Sequence, residues 1–438
     1  MKNVLLFGAG KSATCLIDYL LREAASNDWM IIVCDNNLAL AQSKIGDAPN
    51  ARAASINVKN DADRNTLIRE ADIVISLLPP ELHFIVAKDC LLFKKNLLTA
   101  SYIDENIKTL ANEIDSSGLL FLYEMGLDPG IDHMSAMKMI KSIKEKGATI
   151  TSFLSHCGGL VAPESDNNPW HYKVTWNPRN VVMAGKDGAL FREQNKTVTV
   201  PYKKIFNANH FVKVPGLDEM AWYPNRDSLS YISLYQLENI DTFIRTTLRY
   251  PEFCRGWNKL VEMNCTATND TEEIKHCKTF EEWFTLKNGA FDNGDKDTNQ
   301  YEDEFDKQMT FLGLCSRQNL HQSFTCSADI LQFSVENKLA MASTDRDMIV
   351  MLHQIEYTLK EQRSLVNSSL VVKGEDSLRT AMAKTVGLPL GIATKLILQK
   401  KINVKGLHIP VLPEIYEPVL IELEQNGIKF EETTELLS

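Results

Sequence analysis

The chain has 438 residues, 44% of them hydrophobic, which is enough apolar material for a sizeable core and enough length for two or three domains. A formal net charge of −10 gives no basic face able to neutralise phosphates, so neither nucleic acid nor an anionic membrane is expected as a partner. Nine cysteines without a CxxC pair point to reduced thiols rather than a disulfide framework or a zinc site. With no signal-peptide pattern at the N-terminus and no apolar run of about 18 residues, the expected compartment is the cytoplasm, and no metal is expected.

Residues 4–7 read as a strand, Gly8-Ala9-Gly10-Lys11-Ser12-Ala13 as a tight turn, and the apolar-periodic residues through Leu21 as a helix. In that setting the glycines form a dinucleotide fingerprint. Gly8 permits the turn, Gly10 lets the backbone approach a pyrophosphate, and Ala13 lets the helix sit close on its strand, while Lys11 and Ser12 open a helix whose free amides favour phosphate. A second strand, 30–34, ends at Asp35, followed by Asn36 and Asn37. A carboxylate there accepts both adenosine-ribose hydroxyls and repels a 2′-phosphate, so NAD is expected in preference to NADP. Residues 55–58, 71–78, 96–100 and 119–123 are further short apolar runs between helical or turn segments, as parallel strands buried on both faces require.

The turn Gly126-Leu127-Asp128-Pro129-Gly130 comes next, and then a helix from Asp132 to about Lys146. Over 148–235 the stretches 148–157, 179–184 and 197–202 read as strands among Gly, Pro and Asn. Over 240–393 the pattern is mostly helical, with three- and four-residue apolar spacing in 241–248, 257–263, 347–359 and 377–386. The acidic stretch 292–306 reads as an exposed loop or short solvated helix. The last segment offers a helix over 413–426, then Gly427 and a strand, returning to the dinucleotide domain. The expected fold class is α/β: a Rossmann-type doubly wound parallel sheet over 1–130, a mixed α/β substrate and dimerisation domain over 131–240, a helical lobe over 241–393, and the returning segment 394–438.

Ligands of open α/β sheets sit beyond the carboxyl ends of the strands. Strand four ends in Leu77, Leu78 and Pro79, which line the nicotinamide side; strand five leads into Ser101 and Tyr102, and strand six into Asp128. Tyr102 and Asp128 thereby face one crevice. Plainer readings stand beside these: turn chemistry before Pro129 for Asp128, packing under the cofactor for Tyr102.

The motifs Leu77-Leu78-Pro79, Thr99-Ala100-Ser101-Tyr102, Gly126 through Met134, Cys157-Gly158-Gly159-Leu160 with Ala162-Pro163-Glu164, Tyr223 through Ser228, Thr247-Leu248-Arg249-Tyr250 and Glu414 through Pro418 occur in an order that resembles the saccharopine dehydrogenases of the L-glutamate-forming type, or saccharopine reductases. The resemblance spans nearly the whole chain and fades over about 267–322. It implies reversible hydride transfer: saccharopine, NAD(P)+ and water give glutamate, 2-aminoadipate 6-semialdehyde and reduced cofactor. It also implies a homodimer, and it makes Asp128, Tyr102 and Cys157 the candidates for acid/base work. A tricarboxylate substrate needs fixed cations, for which Arg226 and Lys173 are the candidates, with Ser101 as a neutral donor. Arg226 as a surface ion-pair residue and Cys157 as an inert buried thiol are the alternatives.

The chain departs from the family pattern at Val161, at Trp170-His171 and at Asp35, and the last departure reinforces NAD. His133 and His171 lack the spacing of a metal site. Two other functions remain open: a carboxynorspermidine-type dehydrogenase, whose substrate carries cationic amines in place of one diacid arm, and a cofactor-binding protein without turnover.

Overall fold

Strand β1 (Lys2–Phe7) is followed in the chain by β2 (Trp29–Asp35), β3 (Ala51–Ser55), β4 (Ile73–Ser76), β5 (Asn96–Thr99) and β6 (Leu120–Leu122). The computed structural model describes residues 1–207, 209–289, 302–321 and 323–437. These six strands pair in the order β3-β2-β1-β4-β5-β6, all parallel, and a short strand Gly406–His408 adds itself parallel to β6. Val4 to Phe7 and Ile73 to Ser76 are fully buried, as continuous apolar runs in a two-sided sheet must be. Chain order reverses between β1 and β4, which places a ligand crevice beyond the carboxyl ends of those two strands.

The chain divides into two compact units. Met1–Gly147 with Leu378–Phe430 make the first, Ala148–Ser377 with the strand Glu431–Leu436 the second. Four segments were expected. The first unit continues past residue 130 through the helix Ile131–Glu145, and it takes back two late helices, Ala381–Leu398 and Pro413–Gln425. The helix Ala381–Leu398 is long and apolar enough to cross a bilayer, but most of it is buried inside this unit, as in a core helix. It lies so close to the helix Thr14–Asn27 that a Cβ on Gly387 would stand 2.8 Å from the Leu16 nitrogen, and one on Gly391 2.6 Å from the Tyr19 ring.

The second unit is built on a mixed sheet. Its strands are β7 (Thr149–Val161), β8 (Ala189–Glu193), β9 (Lys196–Val200), β10 (Phe211–Lys213), β11 (Glu219–Pro224), β12 (Arg226–Asp227), β13 (Thr242–Arg249), β14 (Asp347–Leu359) and β15 (Gln362–Lys373). The main path runs β10-β11-β13-β7-β14-β15 and ends on Glu431–Leu436, with β8 branching to β9, β12 and β13. A two-residue turn joins β14 to β15, with Lys360 and Glu361 both at positive φ, as a tight hairpin of this hand demands. Helices Pro251–Glu262, Phe280–Gly289, Glu302–Leu312 and Ser327–Lys338 contribute to an apolar cluster around Trp170, Trp257 and Trp283. The Trp170 indole donates to the Gln308 carbonyl at 3.0 Å and that of Trp283 to Ser327 Oγ at 2.8 Å, so two of these polar edges are satisfied inside the cluster.

Four elements differ in type or place from the expectation. Residues 241–248 and 347–359 are strands, not helices, because β13 and β14 lie inside the sheet, where apolar residues occupy both faces and spacing alone mimics a helix. Residues 179–184 begin in a helix, Pro178–Val182, which Asn177 caps through the Arg179 amide at 2.9 Å with proline at its first position. The third strand sits a few residues early, at Ala51–Ser55. The acidic stretch 292–306 falls largely outside the described residues; Glu304, at its end, meets Arg255 at 2.9 Å.

Overpacking of this kind costs about 3 kcal/mol, so Gly387→Val should lower the melting temperature of the first unit markedly. Gly10→Ala, in the same unit, where a Cβ would meet nothing within 4 Å, should leave it unchanged in the same scan.

Candidate functional site

The glycine turn grows out of β1 under tight steric control. Gly8 has φ +99°, and a Cβ on it would stand 2.7 Å from the Leu77 carbonyl at the end of β4, so this residue must be glycine on two counts. Gly10 is the opposite case: a Cβ there would meet nothing within 4 Å. Its missing side chain leaves open space over a turn that no side chain caps, with Ala13 buried beneath and the helix Thr14–Asn27 beginning there. Uncapped amides, a long helix behind them and free room above Gly10 fit a pyrophosphate. Lys11 and Ser12 stand at that helix start; Leu77 and Leu78 are half-buried beside the turn, and Pro79 is exposed at the start of the helix Pro80–Leu92.

Asp35 behaves differently from expectation. Its two carboxylate oxygens accept the backbone amides of Ala9, at 2.9 Å, and Asn37, at 3.0 Å. The acid that was assigned to the ribose is occupied as a brace between β2 and the glycine turn.

Beyond β5 and β6 the first unit gathers the acid/base candidates. Leu119 through Met137 is a run of buried residues broken at one position, Asp128, which is half-exposed. The loop that presents it is closed by Gly126 donating to the Pro129 carbonyl and Ile131 donating to the Gly126 carbonyl, with a cis bond between Asp128 and Pro129. Gly130, at φ +147°, has no room for a Cβ, which would stand 2.1 Å from the Gly126 oxygen. Gly126 in turn packs on Ala100, the residue before Ser101 and Tyr102. Tyr102 is half-buried. Ser101 Oγ lies 2.6 Å from His83 Nε2, and the other ring nitrogen of His83 lies 2.9 Å from Ser76 Oγ at the end of β4. Burial pushes the His83 imidazole down to about 4, so it is a neutral bridge between two hydroxyls.

In the second unit Cys157 is buried at the middle of β7, opposite Thr247 of β13 and Met351 of β14. The glycine after it, Gly158, lets β13 come close; a Cβ would stand 2.7 Å from the Leu248 backbone oxygen. Lys173 lies in the second unit with its ammonium buried 2.5 Å from Asp345 Oδ2, which also accepts the Ala342 amide, so its charge is balanced by an internal pair. Arg226 is exposed on β12 at φ +50°, a backbone conformation rare for a residue with a side chain.

A second buried cation, Arg249, stands at the end of β13. Its guanidinium is buried with centroid distances of 5.3 Å to the Tyr172 ring and 5.4 Å to Phe253. It donates to the backbone oxygens of Leu248, at 2.8 Å, and Gly159, at 3.5 Å. Its Nε–H has no partner, and among the described residues no carboxylate pairs with it. Both of these hydrogen bonds use one terminal nitrogen, so the charge of this buried guanidinium is only partly balanced by neighbouring groups among the described residues. The sequence carried the signal only as the motif Thr247-Leu248-Arg249-Tyr250, since nothing local distinguishes a buried arginine from an exposed one. Glu124 and His133, which pair at 2.9 Å beside the Asp128 loop, were likewise missed as a unit. His171, for its part, is engaged by Asp166 at 2.6 Å.

Two family models match the chain: a saccharopine dehydrogenase NADP binding domain over residues 4–122 and a saccharopine dehydrogenase C-terminal domain over 126–428. Saccharopine dehydrogenase [NADP(+), L-glutamate-forming] of Saccharomyces cerevisiae is 34% identical over 451 residues, covering 99% of both chains. Alpha-aminoadipic semialdehyde synthase, mitochondrial, of Bos taurus is 34% identical over 451 residues, covering 98% of this chain and 47% of that protein; this chain thus spans about half the length of that longer relative. Among solved structures, apo histidine-tagged saccharopine dehydrogenase (L-Glu forming) from Saccharomyces cerevisiae superposes with a TM-score of 0.90 at 31% identity, covering 99% of this chain and 100% of that one.

These relatives correct the cofactor expectation. The yeast relative is named for NADP(+) and the matching N-terminal model is an NADP binding domain, so the preference for NAD does not hold. Asp35 braces the glycine turn through the Ala9 and Asn37 amides, a task that a carboxylate performs whichever cofactor binds.

Two outcomes follow. Asp35→Ala strands two amides, at a cost of about 2 kcal/mol; it should lower thermal stability and weaken NADP and NAD binding together in a fluorescence titration, without exchanging one preference for the other. The second outcome concerns acid: His83 and His156 are both held near 4 by burial, against 6.5 when unfolded. The unfolded chain therefore binds more protons between those values, and stability should fall as pH drops from about 6.5 toward 4, a slope that His83→Gln makes shallower in urea melts.

Proposed function

The chain belongs to the saccharopine dehydrogenase family, and from that premise we propose that it interconverts saccharopine and water with L-glutamate and 2-aminoadipate 6-semialdehyde, using NADP as the hydride carrier. The observation that carries this reading is the buried Arg249, unpaired with any carboxylate among the described residues. A substrate with three carboxylates supplies the missing counter-charge, and Arg226 is the candidate for a second.

The Gly8 to Ala13 turn would hold the cofactor's pyrophosphate, with Leu77 and Leu78 beside it, and a nicotinamide bound there would supply the acceptor for hydride from the carbon next to the secondary amine. The chain's own groups then have defined tasks. Asp128, the one half-open acid on a buried loop, accepts the proton of the substrate amine so that the nitrogen lone pair can expel hydride. Loss of hydride leaves an imine, water adds to its carbon, and proton return to the nitrogen releases the amine of glutamate and leaves the aldehyde. Tyr102 and Ser101 supply hydroxyls at the same strand ends, Ser101 being held by His83. Cys157 lies one strand from the register of Arg249, beside Thr247, and serves as an auxiliary donor.

A carboxynorspermidine-type substrate would put an ammonium where Arg249 asks for an anion, which disfavours it. The test is absorbance at the reduced-nicotinamide band with saccharopine and with carboxynorspermidine, each with NADP and NAD. Turnover of saccharopine with NADP is the expected result; turnover of carboxynorspermidine alone, or none with either, overturns the reading. Arg249→Leu should raise the KM for saccharopine about 100-fold, equivalent to ~2.7 kcal/mol of lost carboxylate binding. Asp128→Asn should lower kcat by about 100-fold while leaving NADPH binding unchanged.

A further inference from the structure

The two segments that carry Tyr102 and Asp128 leave neighbouring strands of the same unit, and one side chain touches both. Glu124 follows β6. Its amide donates to the Ser101 carbonyl at 3.0 Å, and the next amide, Met125, donates to the Thr99 carbonyl at 3.0 Å. Its carboxylate is buried, with one oxygen accepting the Ile103 amide at 3.3 Å and the other lying 2.9 Å from His133 Nε2. His133 is fully buried on the first turn of the helix that follows the Asp128 loop, and its Nδ1 lies 3.6 Å from Asp132 Oδ2. Asp132 uses its other oxygen, Oδ1, to accept the Gly130 amide at 2.6 Å. Glu124 also adopts φ +55°, a conformation that side-chain-bearing residues avoid.

A buried carboxylate on a strained backbone is a costly way to join two loops, when two backbone hydrogen bonds already join them and apolar packing would serve stability. What the carboxylate adds is direction. It reaches past Tyr102 to the Ile103 amide on one side and to the imidazole rooted behind Asp128 on the other, so that the two functional residues sit between fixed points.

We propose that Glu124, held by His133, is a positioning residue that sets the Tyr102 segment against the Asp128 loop for proton transfer at the substrate amine. This rests on the saccharopine reading given above. In this role Glu124 acts through the Ile103 amide on one side and the His133 ring on the other. His83, bonded to Ser101, fixes the start of the same segment from the β4 side, so Glu124 controls its far end.

The conservative exchange separates positioning from mere stability. Glu124→Gln keeps an oxygen for the Ile103 amide and can donate its amide hydrogen to a His133 that has changed tautomer, whereas Glu124→Ala removes both contacts. With saccharopine and NADP, Glu124→Ala should lower kcat by about 100-fold, with the NADPH dissociation constant unchanged, and Glu124→Gln should recover most of that loss. Hydrogen exchange at the Ile103 amide should accelerate about tenfold in the alanine variant and stay slow in the glutamine variant. Full turnover by a folded Glu124→Ala, or equal losses of turnover and melting temperature in both variants, would overturn the proposal. Should the alanine variant fail to fold, His133→Gln against His133→Leu makes the same comparison from the other end of the pair. If the wild-type enzyme does not oxidise saccharopine, the function reading fails by itself; exchange at Ile103 then decides whether Glu124 fixes that segment, and unchanged exchange in Glu124→Ala sinks it.

Discussion

Arg249 is a full positive charge removed from water and left without a carboxylate among the described residues. Removing an ion from water costs several kcal/mol even after relaxation, and the second unit spreads that cost over many weak partners. Two aromatic faces, two backbone carbonyls and the close strand approach that Gly158 allows surround the guanidinium. The aromatic faces belong to Tyr172 and Phe253, members of the Trp170–Trp257 cluster, so the position of the helices in this unit is tied to the position of the charge.

Lys173 shows the other solution to the same problem. There the charge has a carboxylate of its own at 2.5 Å and is balanced inside the unit. Sequence distance cannot separate these cases, because Asp345 lies far along the chain from Lys173 and the strand ends that isolate Arg249 come together only in the folded sheet.

The first unit was the more legible half. Its turn glycines, its short apolar strands and the acid on the 126–130 loop are local features, each fixed by sterics or period within a few residues, and they lie where their sequence signals put them. Asp35 was read correctly as the end of a strand and wrongly as a cofactor selector, because a carboxylate looks identical in sequence whether its oxygens face a ribose or the amides of Ala9 and Asn37. In the second unit, β13 and β14 carried helix-like spacing because interior strands bury both faces and lose the alternation that marks an edge. Buried histidines were the least legible of all. His83 and Glu124–His133 acquire meaning only from hydroxyls, amides and carboxylates contributed by three different strand ends.

The first unit is discontinuous in the chain, and this orders its birth on the ribosome. Residues 1–147 emerge first, yet the helix that covers Leu16 and Tyr19 and the strand that covers the edge of β6 are synthesised only after the whole of 148–377. During that interval the nascent sheet has an open edge beside β6 and an apolar helix face with nothing against it, the two features most prone to wrong association. The second unit waits as well, since its strand Glu431–Leu436 is synthesised after the rest of that unit and after residues 378–430. Such an arrangement makes residues 378–436 a checkpoint: translation that stops before them leaves both units unfinished, and a chain cut there is expected to meet the proteolysis machinery rather than survive as a partial enzyme.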